Sequence, residues 1–268
     1  MIDAGKHNVL GVGIDAVDYD AAVARVLDAA RERRPLAVSA LAVHGVMTGA
    51  LNAVHRYRLN QLDLVCPDGQ PVRWALRLLH GVSLPDRVYG PRMMLEICAA
   101  AAQQELPIYL FGGDDGLLDA LRTSLQSGFP KLVIAGQRAS KFRALSADEW
   151  DDLGREVRDS GARIMFVGLG CPRQEVFAFE FRETASMPVL AVGAAFSFHA
   201  GRLSQAPPAM QRWGLEWLYR LSREPRRLWR RYVLLNPAYL TLLALQKLGL
   251  RRIDLTGGEP PPSPFLYG

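Results

Sequence analysis

The chain has 268 residues, 49% of them hydrophobic and 22% charged, which suits one main core with an appendage and excludes a disordered chain. Its three cysteines, Cys66, Cys98 and Cys171, stand far apart; this excludes a disulfide framework or a C-x-x-C pair and predicts a reducing compartment. The formal charge of +5 is uneven: residues 202–252 hold eleven Arg and Lys against Glu216 and Glu224, a surplus of nine, so the rest of the chain carries −4. Such asymmetry points to an anionic surface, nucleic acid or lipid, met at one end of the molecule.

The N-terminal stretch MIDAGKHNVLGVGID lacks a charged leader followed by a long apolar run, so no signal peptide and a cytoplasmic location are expected. NVLGVGI reads as a first strand, followed by a helix over 19–33, the strand PLAVSA, a helix over 46–59 and the strand LDLVC. IYLF, KLVIAG, RIMFV and VLAV follow, each trailed by an amphipathic segment of helical length. This alternation predicts an α/β fold, a mainly parallel sheet with helices on both faces. Ligands then bind beyond the carboxyl ends of the strands.

Those ends carry Ser39, Pro67-Asp68-Gly69, Gly112-Gly113-Asp114, Gly136, Gly168-Leu169-Gly170 and Gly193. Glycine there allows backbone N–H groups to approach a diphosphate, and it is equally the ordinary way to turn a chain. Gly11-Val12-Gly13-Ile14-Asp15-Ala16 fits the loose G-x-G-x-x-A dinucleotide pattern, but the next strand ends in Val38-Ser39-Ala40 without the carboxylate that pattern requires. Asp18-Tyr19-Asp20 has D-x-D spacing, and Asp18 is better read as a helix cap. Asp68, after an apolar strand, is placed to act as a general base or simply to make an Asp-Gly turn. In Gly168-Leu169-Gly170-Cys171-Pro172-Arg173-Gln174-Glu175, Pro172 suits the start of a helix whose first turn is polar, and Cys171 reads as a small turn residue. No histidine pair has ligand spacing, so no metal and no cofactor is expected.

Near the C-terminus, Arg223, Arg227 and Arg231 recur at helical spacing with Arg226 and Arg230 beside them, while Leu228, Trp229, Tyr232 and Val233 gather on another side. That is the pattern of a helix lying in a membrane interface, the alternative being a solvated charged face packed on the core by its Trp and Leu residues. Residues 233–250 are apolar but interrupted by Asn236-Pro237, which makes them marginal as a spanning helix. With no nucleic-acid motif present, a membrane surface is the expected partner rather than nucleic acid. The Gly/Pro-rich stretch TGGEPPPSPFLYG reads as a disordered tail. The expected organisation is a core over 1–205, a helical membrane-associating appendage over 206–252 and a tail over 253–268, with the core folding when the chain is cut after residue 206.

The order PDG, DRVYG, LFGG, VGLGCPRQE, VGAAFSFHAGRLSQAP and GLEWLYRLSREPRRLWRRY resembles the WecG/TagA/CpsF group, glycosyltransferase family 26, from about residue 8 to about residue 232. The resemblance implies a Rossmann-like core and an inverting transfer, without a required metal, from a UDP-sugar to a polyprenyl-diphosphate-linked sugar in cell-surface polysaccharide synthesis. It implies an enzyme peripheral on the inner face of the cell membrane. Asp68 falls on the family's proposed base; Arg87, Gly112, Gly113, Gly168, Gly170, Gln174 and Glu175 are assigned to the donor; Arg220, Arg227 and Arg230 are candidates for the acceptor diphosphate. Where the family has Thr-x-Asn this chain has Ala40-Leu41-Ala42, and Arg92 and Ser197 stand where Asp is usual, so the donor is open between a hexose and an N-acetylhexosamine. The rival readings are a non-catalytic nucleotide-sugar or membrane-binding module and a soluble nucleotide-dependent oxidoreductase, and a homo-oligomer is left open.

Overall fold

The computed structural model of the protein describes the backbone of all 268 residues and every side chain except those of Arg227, Arg230 and Arg231. A hairpin, β1 (Asp3–Val9) and β2 (Val12–Val17), leads into α1 (Tyr19–Glu32), β3 (Leu36–Leu41), α2 (Val43–Leu51), α3 (Ala53–Asn60) and β4 (Leu64–Pro67). Then come α4 (Gln70–His80), α5 (Gly90–Gln103), β5 (Ile108–Phe111), α6 (Asp115–Gly128), β6 (Ile134–Arg138) and α7 (Ala147–Asp159). The last core elements are β7 (Ile164–Val167), α8 (Arg173–Ala185), β8 (Pro188–Ala191) and α9 (Ala195–His199), and α10 (Pro208–Arg212), α11 (Glu216–Arg223) and α12 (Pro225–Lys247) follow.

The central sheet runs β4-β3-β8-β7-β5-β6, with every neighbouring pair parallel. Alternate strand residues feed two cores: Leu110, Phe166 and Leu190 pack under α1, α5, α6 and α9, while Phe111, Val167 and Ala191 pack under α2, α3, α4, α7 and α8. Because both faces are covered, these strands read as unbroken apolar runs, as a parallel sheet requires. The chain builds one edge with β3 and β4, crosses to the other with β5 and β6, and returns to fill the middle with β7 and β8. This order differs from the 3-2-1-4-5-6 order of the dinucleotide fold.

Several expectations are corrected. NVLGVGI is not a strand of the parallel sheet; it is two antiparallel strands joined at Leu10 and Gly11, both in the left-handed region (φ 55° and 83°), the geometry a two-residue hairpin turn demands. Gly11 therefore serves a turn, and the dinucleotide pattern has no phosphate loop behind it. The hairpin docks beside β4 through Asp15, whose Oδ2 accepts the Val65 N–H at 2.7 Å. The helix expected over 46–59 is two helices, broken at Asn52, whose side chain accepts the His55 N–H and starts α3 afresh. Asp18 caps α1, as read, by accepting from Ala21 N at 2.9 Å.

The stretch 253–268, expected as a disordered tail, crosses the core as an ordered strap. Asn8 and Asn60 donate to the carbonyls of Ile253 and Leu255 at 2.8 and 2.7 Å, Leu145 N donates to Leu266 O at 2.7 Å, and Tyr267 is buried. A proline-rich segment has few N–H groups but a full set of carbonyl acceptors, and here the core supplies the donors. Nor is 206–252 a separable appendage. The second half of α12 packs on α2 and α4, burying Tyr239 and Leu243 in the main core, with Tyr239 Oη donating to Pro71 O at 3.1 Å. Gln246 accepts the Leu10 N–H and donates to Asn8 O. A chain cut after residue 206 would uncover that surface. Among the described residues, no helix is long and apolar enough to cross a membrane, and Pro237 interrupts the hydrogen-bond ladder of α12.

Candidate active site

The parallel sheet delivers Asp68, Gly112, Gly168, Gly193 and the end of β3 to one edge. Asp68 leaves β4 with its N–H held by Leu41 O and Cys66 O, and Gly69, at φ 107°, turns the chain into α4. Its carboxyl accepts the N–H of Gly90, the first residue of α5, so it faces the positive end of that helix. Burial outweighs this stabilisation. The Asp68 pKa is pushed up to about 7 by desolvation and by the nearby carboxylate of Glu216, against the opposing pull of Arg87, the Gly90 N–H and Arg220. A carboxyl that ionises near neutrality is matched to a general base.

Around Asp68 the loop 84–89 and helix α11 meet. Val88 N donates to Pro67 O, tying the loop to the end of β4, and Tyr89 N donates to Tyr19 Oη at 2.8 Å. Arg87, only 6% exposed, stacks over the Tyr89 ring at 4.1 Å and donates through Nη2 to Glu216 Oε2 at 2.7 Å and Gln211 Oε1 at 3.1 Å. Tyr89 Oη donates to Glu216 Oε1 at 3.2 Å. Of the expected site residues, Asp68, Arg87 and Arg220 therefore share one neighbourhood. The side chains of Arg227 and Arg230, the other expected phosphate ligands, lie outside the described residues. Beside Arg220 a cleft of about 270 Å³ opens between α11 and the loop after α9, lined by Arg202, Ser204, Tyr219 and Arg223 among others. Arg202 closes one side by a two-pronged bond to Asp114, which also caps α6.

Gln174 and Glu175 form a second group, buried beneath the ends of β3, β7 and β8. Gln174 accepts the Gly170 N–H at 3.1 Å and donates to Glu175 Oε1 at 2.9 Å, which also accepts from Ser39 Oγ at 3.2 Å. Burial raises the Glu175 pKa, opposed by these bonds and by the Cys171 thiol. The pair braces the turn whose glycine, Gly170 at φ 79°, has open space where a side chain would stand. Gly112 and Gly168 instead meet backbone to backbone, and Gly113 abuts Leu117. Arg92 lies over the Tyr19 ring and pairs with Glu96, and Ser197 O accepts the N–H groups of Arg202 and Leu203.

Sequence reading missed Glu216, Tyr89 and Gln211, while Ser39, named as a strand end, proves to be a partner of Glu175. A signal existed for Glu216, which stands four residues before Arg220 on α11 and so shares its face. Tyr89 lies in the same DRVYG segment as Arg87.

The fold is a parallel α/β sheet whose strand ends carry Asp68 and several glycine turns, with Arg87 and Arg220 brought beside Asp68 by the 84–89 loop and α11. Residues 7–253 match the model of the glycosyl transferase WecG/TagA/CpsF family, and the chain belongs to that family.

Proposed function

We propose that this chain is an inverting glycosyltransferase that moves a hexose or N-acetylhexosamine from a UDP-sugar to a polyprenyl-diphosphate-linked sugar. The observation that carries the reading is Asp68, a carboxyl held at a strand end beside arginines and titrating near neutrality. Strand spacing supports an extended donor: β4 and β7 are three strands apart, about 14 Å, so a nucleotide diphosphate lying near Gly170 reaches with its sugar toward Asp68. Asp68 takes the proton of the acceptor hydroxyl as its oxygen bonds to the anomeric carbon; the bond from that carbon to UDP breaks, and UDP leaves with the electron pair on the opposite face. Strand-end N–H groups and arginine side chains meet the diphosphate charges.

The same reading places the protein on the inner face of the membrane as a peripheral enzyme of cell-surface polysaccharide synthesis. Trp213, Leu215 and Leu218 around α11, Trp229, Val233 and Leu234 on α12, and Trp74 on α4 are exposed, with Arg223 and Arg226 exposed among them. Aromatic, aliphatic and arginine side chains in that mixture suit a phospholipid headgroup layer. A panel of UDP-sugars with a polyprenyl-diphosphate-sugar acceptor, run with and without EDTA, tests the proposal. It predicts transfer from one donor, undiminished by EDTA, and no transfer from any donor would overturn it.

A further inference from the structure

Glu216 is the one carboxylate that α11 brings to the site, and both its oxygens are engaged: Oε2 by Arg87 at 2.7 Å and Oε1 by the Tyr89 hydroxyl at 3.2 Å. The two partners sit in the loop between α4 and α5, which Val88 ties to the end of β4 and which leads into the helix whose first N–H holds Asp68. Gln211, from α10, reaches the same guanidinium and also binds Ala206 O at 2.8 Å. Two short C-terminal helices, α10 and α11, thus converge on one arginine. No residue of α11 is fully buried; beyond this fork it is held by Trp217 against the Tyr232 ring of α12, at 5.8 Å, and by the Tyr219–Ser204 hydroxyl bond at 2.8 Å. A partly buried charge pair of this geometry is strongly directional, and loss of one partner leaves the other charge uncompensated.

We propose that Glu216 is a positioning residue: its carboxylate fork latches α11 over Asp68 and thereby sets Arg220 and the adjoining cleft against the base. The groups that face Asp68 are Arg87 and Tyr89 from the loop, Tyr19 from α1, Cys66 from its own strand, and Glu216 and Arg220 from α11. Burial is the larger cause that holds the Asp68 proton on; of these groups Glu216 adds to it, so the latch also bears on the pH at which the base is ready.

The kinetic part of the test rests on the transferase reading; the structural part does not. In the full-length chain, Glu216→Ala is expected to raise hydrogen exchange over residues 208–223 about tenfold while β3 and β8 stay protected. Unchanged exchange there overturns the latch whatever the activity. Glu216→Gln keeps the shape and removes the charge. It is expected to move the acid limb of kcat/KM about one pH unit lower and to raise the acceptor KM while the donor KM stays within about threefold. An unmoved acid limb, or a faster enzyme, overturns the positioning role. If Glu216→Ala loosens α11 while the wild-type chain transfers no sugar, the latch stands and the transferase reading falls.

Discussion

A Cβ on Gly112 would lie 2.8 Å from the carbonyl carbon of Gly168, so the ends of β5 and β7 touch through their backbones. Gly112 also has φ 119°, a conformation closed to other residues. Both glycines were assigned to the donor from their places after strands, and both have a packing duty that precedes any ligand. Gly112→Ala is expected to cost on the order of 2–4 kcal/mol in denaturant unfolding. Gly170→Ala meets open space and is expected to cost only about 1–2 kcal/mol, from its positive φ alone. Equal losses at the two positions would contradict this division.

Asp68→Asn separates chemistry from binding. Turnover is expected to fall on the order of 10²–10⁴-fold with the donor KM little changed. Stability supplies a check independent of substrate. With its folded pKa raised to about 7, Asp68 stays protonated in the folded chain while the unfolded chain ionises from about pH 4 upward, so the wild type loses stability between those values and is level above. The variant is therefore expected to be more stable than wild type at pH 8 and equal to it near pH 3. Parallel melting curves across that range would contradict the raised pKa.

The kcat/KM of the wild-type chain is expected to rise through about pH 7 and to flatten above it, as the base form of Asp68 accumulates. An acid limb centred near 4 would mean that burial does not govern the group.

The strap over 253–268 lies almost wholly beyond the family match, yet Tyr267 is buried and Arg173, next to the Gln174-Glu175 pair, lies over its ring at 4.7 Å. Tyr267→Ala is expected to cost about 3–5 kcal/mol, the usual loss for a buried aromatic side chain. A change below 0.5 kcal/mol would return the strap to the disordered tail its composition suggests.

For α12, Tyr239→Phe removes the bond to Pro71 O and is expected to cost about 1 kcal/mol, while Tyr239→Ala opens the core for about 3–5 kcal/mol. Both follow from α12 belonging to the core; an appendage that folds apart would leave the melting of the remainder unchanged.

The sequence made the parallel sheet legible because strands buried on both faces leave unbroken apolar runs, as IYLF, RIMFV and VLAV do. Asp68 was legible for the same reason, as the first polar residue after such a run. The hairpin was hidden because Leu10-Gly11 lies inside one apolar run, with none of the polar residues that usually announce a turn. The role of α12 was hidden because an apolar stretch is alike whether it meets lipid or Val72 and Leu76. Glu216 escaped notice because its partners lie 127 and 129 positions away, a distance only the fold closes.

The central claim is that Asp68 activates an acceptor hydroxyl toward a UDP-sugar, and it is tested most directly by sugar transfer to a polyprenyl-diphosphate-sugar acceptor measured from pH 5 to pH 9 in wild type and Asp68→Asn. The account predicts wild-type transfer that rises through about pH 7, and in the variant a residual rate on the order of 10²–10⁴-fold lower without that limb. A variant that transfers as fast as wild type with the same pH profile would contradict it.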